Sequence, residues 1–156
     1  MAGIDPNKVA SAYLDQWALT REWWDGVSVV EWSAPSVIDG WAMRDLVAHF
    51  GLVADSIRAA AETTSEEKPL RLGDYLATYA DGAARIDVRT RDLASAEGFL
   101  FAVDASAAQA EAAISAMVGN PVVAARRGPI RWADFLRARC IELTVHSDDL
   151  ARSVVV

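Results

Sequence analysis

One cysteine and two histidines are all that the 156-residue chain holds of those residue types. The lone Cys140 excludes an internal disulfide framework and fits a reducing compartment. Basic residues are also short, with 15 Lys and Arg against 22 Asp and Glu for a formal charge of −7. No Lys/Arg-rich run offsets that balance, which argues against nucleic acid or an anionic membrane as the main partner. No apolar run approaches the roughly 18 residues of a membrane span. The start, Met1 to Pro6, is neither basic nor followed by the apolar core of a secretory leader. A soluble, cytoplasmic protein is expected. No internal repeat is visible, and strand-like patterning is confined to Val27–Glu31 and Pro121–Ala125.

What the chain does have is apolar content, 53% of its residues, enough to fill the core of one domain over residues 1–156. Asp5-Pro6 reads as an N-cap followed by proline at the first helical position. The helix it opens carries Val9, Tyr13, Leu14, Trp17 and Leu19 inward and closes at Gly26. The stretch from Val27 to Gly40 is a long connection. A second helix is expected from about Trp41 to Thr63, with Ala42, Leu46, Leu52, Val53, Ile57 and Ala60 around His49. Its far side would carry Arg44, Gly51, Asp55, Arg58 and Glu62. After a polar connection over Thr64–Arg71, helical pattern resumes from Leu72 to Ile86. Arg89–Met117 is alanine-rich and mostly helical, with a break near Asp92–Gly98. Turns at Gly119-Asn120-Pro121 and Gly128-Pro129 precede a last helix from about Arg131 to Arg152. The sum is an all-α bundle of four main helices, a fold whose core commonly houses metal sites.

The last helix carries the chemistry. Glu142 and His146 are four residues apart and lie one above the other on a helix face. Phe135, Leu136, Ala138, Ile141, Leu143, Val145 and Leu150 flank that direction, which places the pair inward. A buried carboxylate and imidazole are costly unless paired or bound to a metal. At about 1.5 Å per residue, His49 lies roughly 12 Å from the start of the second helix, and Glu142 and His146 roughly 9–15 Å from the end of the last. An antiparallel pairing of those helices brings all three to one level. His49, Glu142 and His146 then match a catalytic type of zinc site with its fourth position open, and nickel, iron or cobalt suit the same donors. Each histidine could equally be a core residue bonded to a carbonyl or carboxylate.

Other residues bear on the same region. Asp45, four residues before His49, either orients that ring or pairs with an arginine, and Arg139 and Asp149 either line the pocket mouth or pair with each other. Cys140 lies about 200° around the helix from Glu142 and is excluded as a ligand. The six tryptophans read mainly as core and bundle-end packing. Arg126-Arg127 reads either as a seat for an anion or as a solvated turn.

Three segments carry a resemblance: Trp32-Ser33-Ala34-Pro35-Ser36, Gly40-Trp41-Ala42-Met43-Arg44-Asp45-Leu46-Val47-Ala48-His49, and Glu142-Leu143-Thr144-Val145-His146-Ser147-Asp148-Asp149-Leu150. Together they resemble the N-terminal metal-binding domain of mycothiol-dependent maleylpyruvate isomerases, in the DinB-like superfamily of four-helix bundles. The resemblance implies that His49, Glu142 and His146 bind a divalent metal, usually zinc. It also implies that the metal activates mycothiol or another low-molecular-weight thiol for isomerisation or S-transfer to an electrophilic substrate. Two departures stand out: the two-domain isomerases carry a further C-terminal domain, so maleylpyruvate isomerisation itself is not expected here, and Arg131 stands where a Ser/Thr-like cap is more usual. A non-catalytic metal- or ligand-binding module is the alternative, and a plain helical packing domain the third reading.

Overall fold

The computed structural model describes residues 4–28 and 31–154. Its elements are α1 (Pro6–Trp24), α2 (Met43–Ala61), α3 (Leu72–Ala77), α4 (Ala83–Ser95), α5 (Phe99–Ala116), β1 (Val122–Ala125), β2 (Gly128–Arg131) and α6 (Trp132–Val154). Short 3-10 turns cover Glu31–Ser33 and Ala80–Gly82. The four long helices α1, α2, α5 and α6 form a DinB-like bundle. Around the core, α1 packs on α6, α6 on α2 and α2 on α5. The ion pair of Arg21 with Asp104 at 2.7 Å closes the ring between α1 and α5. No helix among the described residues is long and apolar enough to cross a membrane.

Local chemistry accounts for the helix boundaries. The Asp5 carboxylate accepts from the Asn7 backbone N–H at 2.9 Å, and Pro6 occupies the first turn, where its missing N–H costs nothing. At the start of α2, Ala42 has no side-chain acceptor, but the Asp45 carboxylate reaches back to the Ala42 N–H at 2.8 Å, half of a capping box. This bond decides the role of Asp45: it caps α2, and neither orients His49 nor pairs with an arginine. The missing cap at Arg131 is made good from outside, because the Asn120 side-chain oxygen accepts from the Ala133 N–H at 2.8 Å.

Tertiary packing redraws several expected faces. Helix α2 is covered almost all round, with every residue from Asp45 to Gly51 buried. Gly51 therefore does not face solvent; a β-carbon there would come within 3.0 Å of Val103 on α5, so the glycine permits the close approach of α2 and α5. The helical pattern of Leu72–Ile86 is broken over Thr78–Gly82, and its second half joins the following segment as α4. The break expected in the alanine-rich stretch falls at Ala96–Gly98. Leu19, Ile141 and Val145 are exposed, although their spacing placed them on apolar faces. Trp23 is likewise 41% exposed, whereas Trp24, Trp32 and Trp132 are core residues.

The strand pattern at Pro121–Ala125 becomes β1, which pairs antiparallel with β2, Val123 opposite Ile130. The connection after α2 adds single bridges to both strands, Thr64 to Val123 and Leu70 to Ile130. At the hairpin turn Gly128 has φ +124, and a β-carbon would meet Leu70 at 2.9 Å, so both backbone angle and space call for glycine. The expected strand character of Val27–Glu31 is absent from its described part, where Glu31 starts a 3-10 turn; residues 29 and 30 lie outside the described residues.

Candidate functional site

Helices α2 and α6 run antiparallel. Ser56, late in α2, accepts a hydrogen bond at 3.2 Å from Arg139, early in α6. One to two turns away His49 meets Glu142, and just before α2 the Val37 N–H donates at 3.0 Å to Ser153, at the end of α6. The level-matching expected from helix rise is therefore realised. His49 Nε2 lies 3.5 Å from Glu142 Oε2, and the rings of His49 and His146 stand edge to face with centroids 4.8 Å apart.

The three side chains line one end of a cavity of about 550 Å³, within the range of small-molecule sites. Helices α2 and α4, the segment carrying Tyr75 and Tyr79, the β-hairpin and α6 all contribute to its wall. Trp41 lies beside His49, with ring centroids 5.4 Å apart, and its indole N–H donates to Asp87 at 2.6 Å. Leu52, Val53, Ala60, Ile86 and Phe135 make much of the lining apolar.

Each polar group at the floor has a second partner. Glu142 accepts from the Arg139 guanidinium at 3.0 Å through Oε1, leaving Oε2 towards His49. Burial pushes the Glu142 carboxyl up, but the hydrogen bond with His49 and the charge of Arg139 override it and hold the group at about 2. Arg139 is buried, hydrogen-bonds the Tyr79 hydroxyl and lies over the Phe135 ring at 5.1 Å. His146 Nδ1 lies 3.0 Å from Asp149 Oδ2, and the Thr90 hydroxyl makes a long contact of 3.5 Å with His49 Nδ1. Burial, helped by the neighbouring His49, lowers the His146 pKa against the upward pull of Asp149, favouring the neutral ring. Arg139 and Asp149 thus do not pair with each other; each holds one member of the Glu142/His146 couple.

Among the described residues, no group of three or more His, Cys, Asp or Glu side chains has the spacing of a formed metal site. His49 Nε2 and Glu142 Oε2 instead make a polar contact at 3.5 Å. Cys140 stands outside the cavity, its Sγ 3.9 Å from the Val9 carbonyl oxygen on α1, and burial pushes its thiol up to about 11.

In sequence Tyr75 and Tyr79 stood out only as members of the helical pattern from Leu72 to Ile86, and Ser56, Thr90 and Arg89 not at all. A fully buried threonine in a charged, alanine-rich helix carries no local signal of its contact. The tyrosine pair at i, i+4 marked one helix face, but not the cavity that this face would line.

A family model for the mycothiol maleylpyruvate isomerase N-terminal domain matches residues 13–151. No curated protein and no solved structure gives a significant match.

Proposed function

The chain belongs to the mycothiol maleylpyruvate isomerase N-terminal domain family, and from that premise we propose that it is a divalent-metal protein, zinc foremost, acting as a thiol-dependent transferase or isomerase-like enzyme. His49, Glu142 and His146 would hold the metal, and mycothiol or a related small thiol would be the co-substrate for an electrophilic acceptor. One observation carries the reading: both histidines of the chain and Glu142 meet in the lining of a large, mostly apolar cavity.

The donor set fits such an ion. Two imidazoles and one carboxylate are the composition of an open catalytic zinc site, and nickel, iron or cobalt take the same donors. The metal would supply a Lewis acid that keeps a thiol deprotonated at neutral pH, where the thiolate is the nucleophile.

The chain's own residues prepare the place. Asp149 and Thr90 hold the Nδ1 atoms of His146 and His49, the outer support that fixes ring orientation in metal sites. Arg139 holds Glu142 ionised from the side away from His49. His49 Nε2 and Glu142 Oε2, the atoms that ligation would use, face each other at 3.5 Å. Trp41, Leu52 and Ile86 give the reacting groups an apolar wall, which strengthens charge interactions inside by excluding water.

Metal analysis of the purified chain tests the reading. About one equivalent of divalent metal is expected, lost in Glu142→Ala and in His146→Ala. Unchanged metal content in both variants would refute the ligand set. In the cobalt-substituted protein, mycothiol or a simpler thiol should give a sulfur-to-metal charge-transfer band, absent in His49→Ala and retained in Cys140→Ser. A metal-loaded chain with no band at millimolar thiol and no acceleration of thiol addition would instead be a non-catalytic binding module.

A further inference from the structure

The cavity that holds the histidines is also lined by arginines. Arg89 on α4 and Arg126 and Arg127 on the hairpin turn line the large cavity, and Arg85, one turn before Arg89, lines a smaller cavity that shares Arg126 and Arg127. Against these four arginines the two cavities are lined by three carboxylates, Asp55, Asp81 and Glu142. Asp55 is engaged by Arg58 at 3.1 Å and only loosely approached by Arg89 at 3.9 Å, while Glu142 is taken by Arg139 and His49. Arg127 is committed to the Thr78 carbonyl and to the Tyr79 ring, 4.3 Å from its guanidinium. Neither Arg85 nor Arg126 has a hydrogen bond or ion pair among the described residues. Burial, then the like charges of Arg89, Arg85 and Arg127, push the Arg126 pKa down, against a smaller upward pull from Asp55. In a chain of net charge −7, positive charge gathered at one cavity wall favours an anion there and steers it in.

The apolar lining excludes a bare inorganic anion as the best ligand, because most of the roughly 550 Å³ cavity would stay unfilled. A nucleic acid would need a longer basic track than one cavity wall supplies. We infer that the acceptor substrate is an amphipathic monoanion whose acidic group sits on Arg126 and Arg89 and whose apolar body lies along Leu52, Ala59 and Ile86 towards His49. Its role as acceptor rests on the function proposed above. The binding preference itself needs only the cavity.

The test uses the full chain stripped of metal, so that no ligand can bind through an ion, and reads affinity by titration calorimetry. Octanoate is compared with octanamide, which has the same body without the charge, and with acetate, which has the charge without the body. Octanoate should bind about tenfold more tightly than either, as expected when a charge-assisted contact and apolar burial act together, and should weaken with added salt. Arg126→Gln and Arg89→Gln should each cost several-fold for octanoate and leave octanamide unchanged, with Arg126→Lys retaining most of the affinity. Equal affinity for octanoate and octanamide would overturn the inference, as would an Arg126→Gln chain of native circular dichroism that binds octanoate like the parent. Acetate binding as tightly as octanoate would equally overturn the amphipathic assignment. Failure of the metal site shows separately in metal content, which none of these outcomes measures.

Discussion

Replacing Glu142 by glutamine, with metal removed by a chelator, isolates the ion-pair chemistry at the cavity floor. The substitution keeps the shape of the side chain and removes its charge. Arg139, nearly fully buried on α6, then loses its one carboxylate partner among the described residues and keeps Ser56 and the Tyr79 hydroxyl. Removing one partner of a buried pair costs about 3–5 kcal/mol, and the partners that remain place the expected loss at the low end. The acid–base behaviour gives the same size. A carboxyl held at about 2 instead of 4.5, at about 1.4 kcal/mol per pH unit, corresponds to roughly 3 kcal/mol. A depressed folded-state pKa contributes stability that is fully present above the unfolded value and lost as pH falls through the folded one. The difference between parent and Glu142→Gln should therefore be near 3 kcal/mol at pH 7. It should stay flat down to about pH 5 and shrink steadily as pH falls from 4.5 towards 2. Urea unfolding of both chains at matched pH measures it. At pH 7 the loss should also appear as a melting temperature lower by about 6–12 °C. A difference under 1 kcal/mol at pH 7, or one independent of pH below 4.5, would refute the reasoning that Arg139 and Glu142 depend on each other.

Asn120→Ala should cost about 1 kcal/mol, the usual worth of a helix cap, because its side-chain oxygen accepts the Ala133 N–H at the start of α6; chemical unfolding checks it, and an unchanged midpoint would mean the cap is not needed. Gly51→Ala should destabilise by about 1–3 kcal/mol through overpacking, since the added carbon meets Val103 at 3.0 Å, and a stability equal to the parent would show that α5 yields at that contact. Cys140 should react with iodoacetamide at pH 8 about a hundredfold more slowly in the native than in the urea-unfolded chain, because a thiol at about 11 rather than 9 holds that much less thiolate. Equal rates in the two states would place that thiol in water.

Much of the bundle was legible in the chain itself, wherever the determinants are local. Asp5-Pro6 fixes the start of α1 within a few residues, and the glycine-containing turns around Gly98 and Gly119 delimit α5. The inward direction of His49, Glu142 and His146 follows from helical period, and helix rise alone put them at one level once α2 and α6 were taken as antiparallel. The resemblance in the Trp41–His49 and Glu142–Leu150 segments pointed to the family that residues 13–151 match.

Tertiary structure decided what local pattern does not encode. An apolar residue at a helical spacing is buried only if another element covers it, so Leu19, Ile141 and Val145 stay exposed while the nominally outer Gly51 lies under α5. Charges had more than one partner within reach, and the folded chain selected neighbours three residues away: Asp45 turned to its own helix N-terminus, Arg139 to Glu142 and Asp149 to His146. Much of the cavity wall comes from α4 and the β-hairpin, which are separated from His49 by some 35 to 80 residues of chain. In sequence Arg89 and the alanines of these elements read as ordinary surface residues, and Arg126-Arg127 reads as a solvated turn as readily as an anion seat. Only the packing of those elements against α2 and α6 turns the histidine couple of a helical bundle into one end of a cationic, apolar-walled cavity.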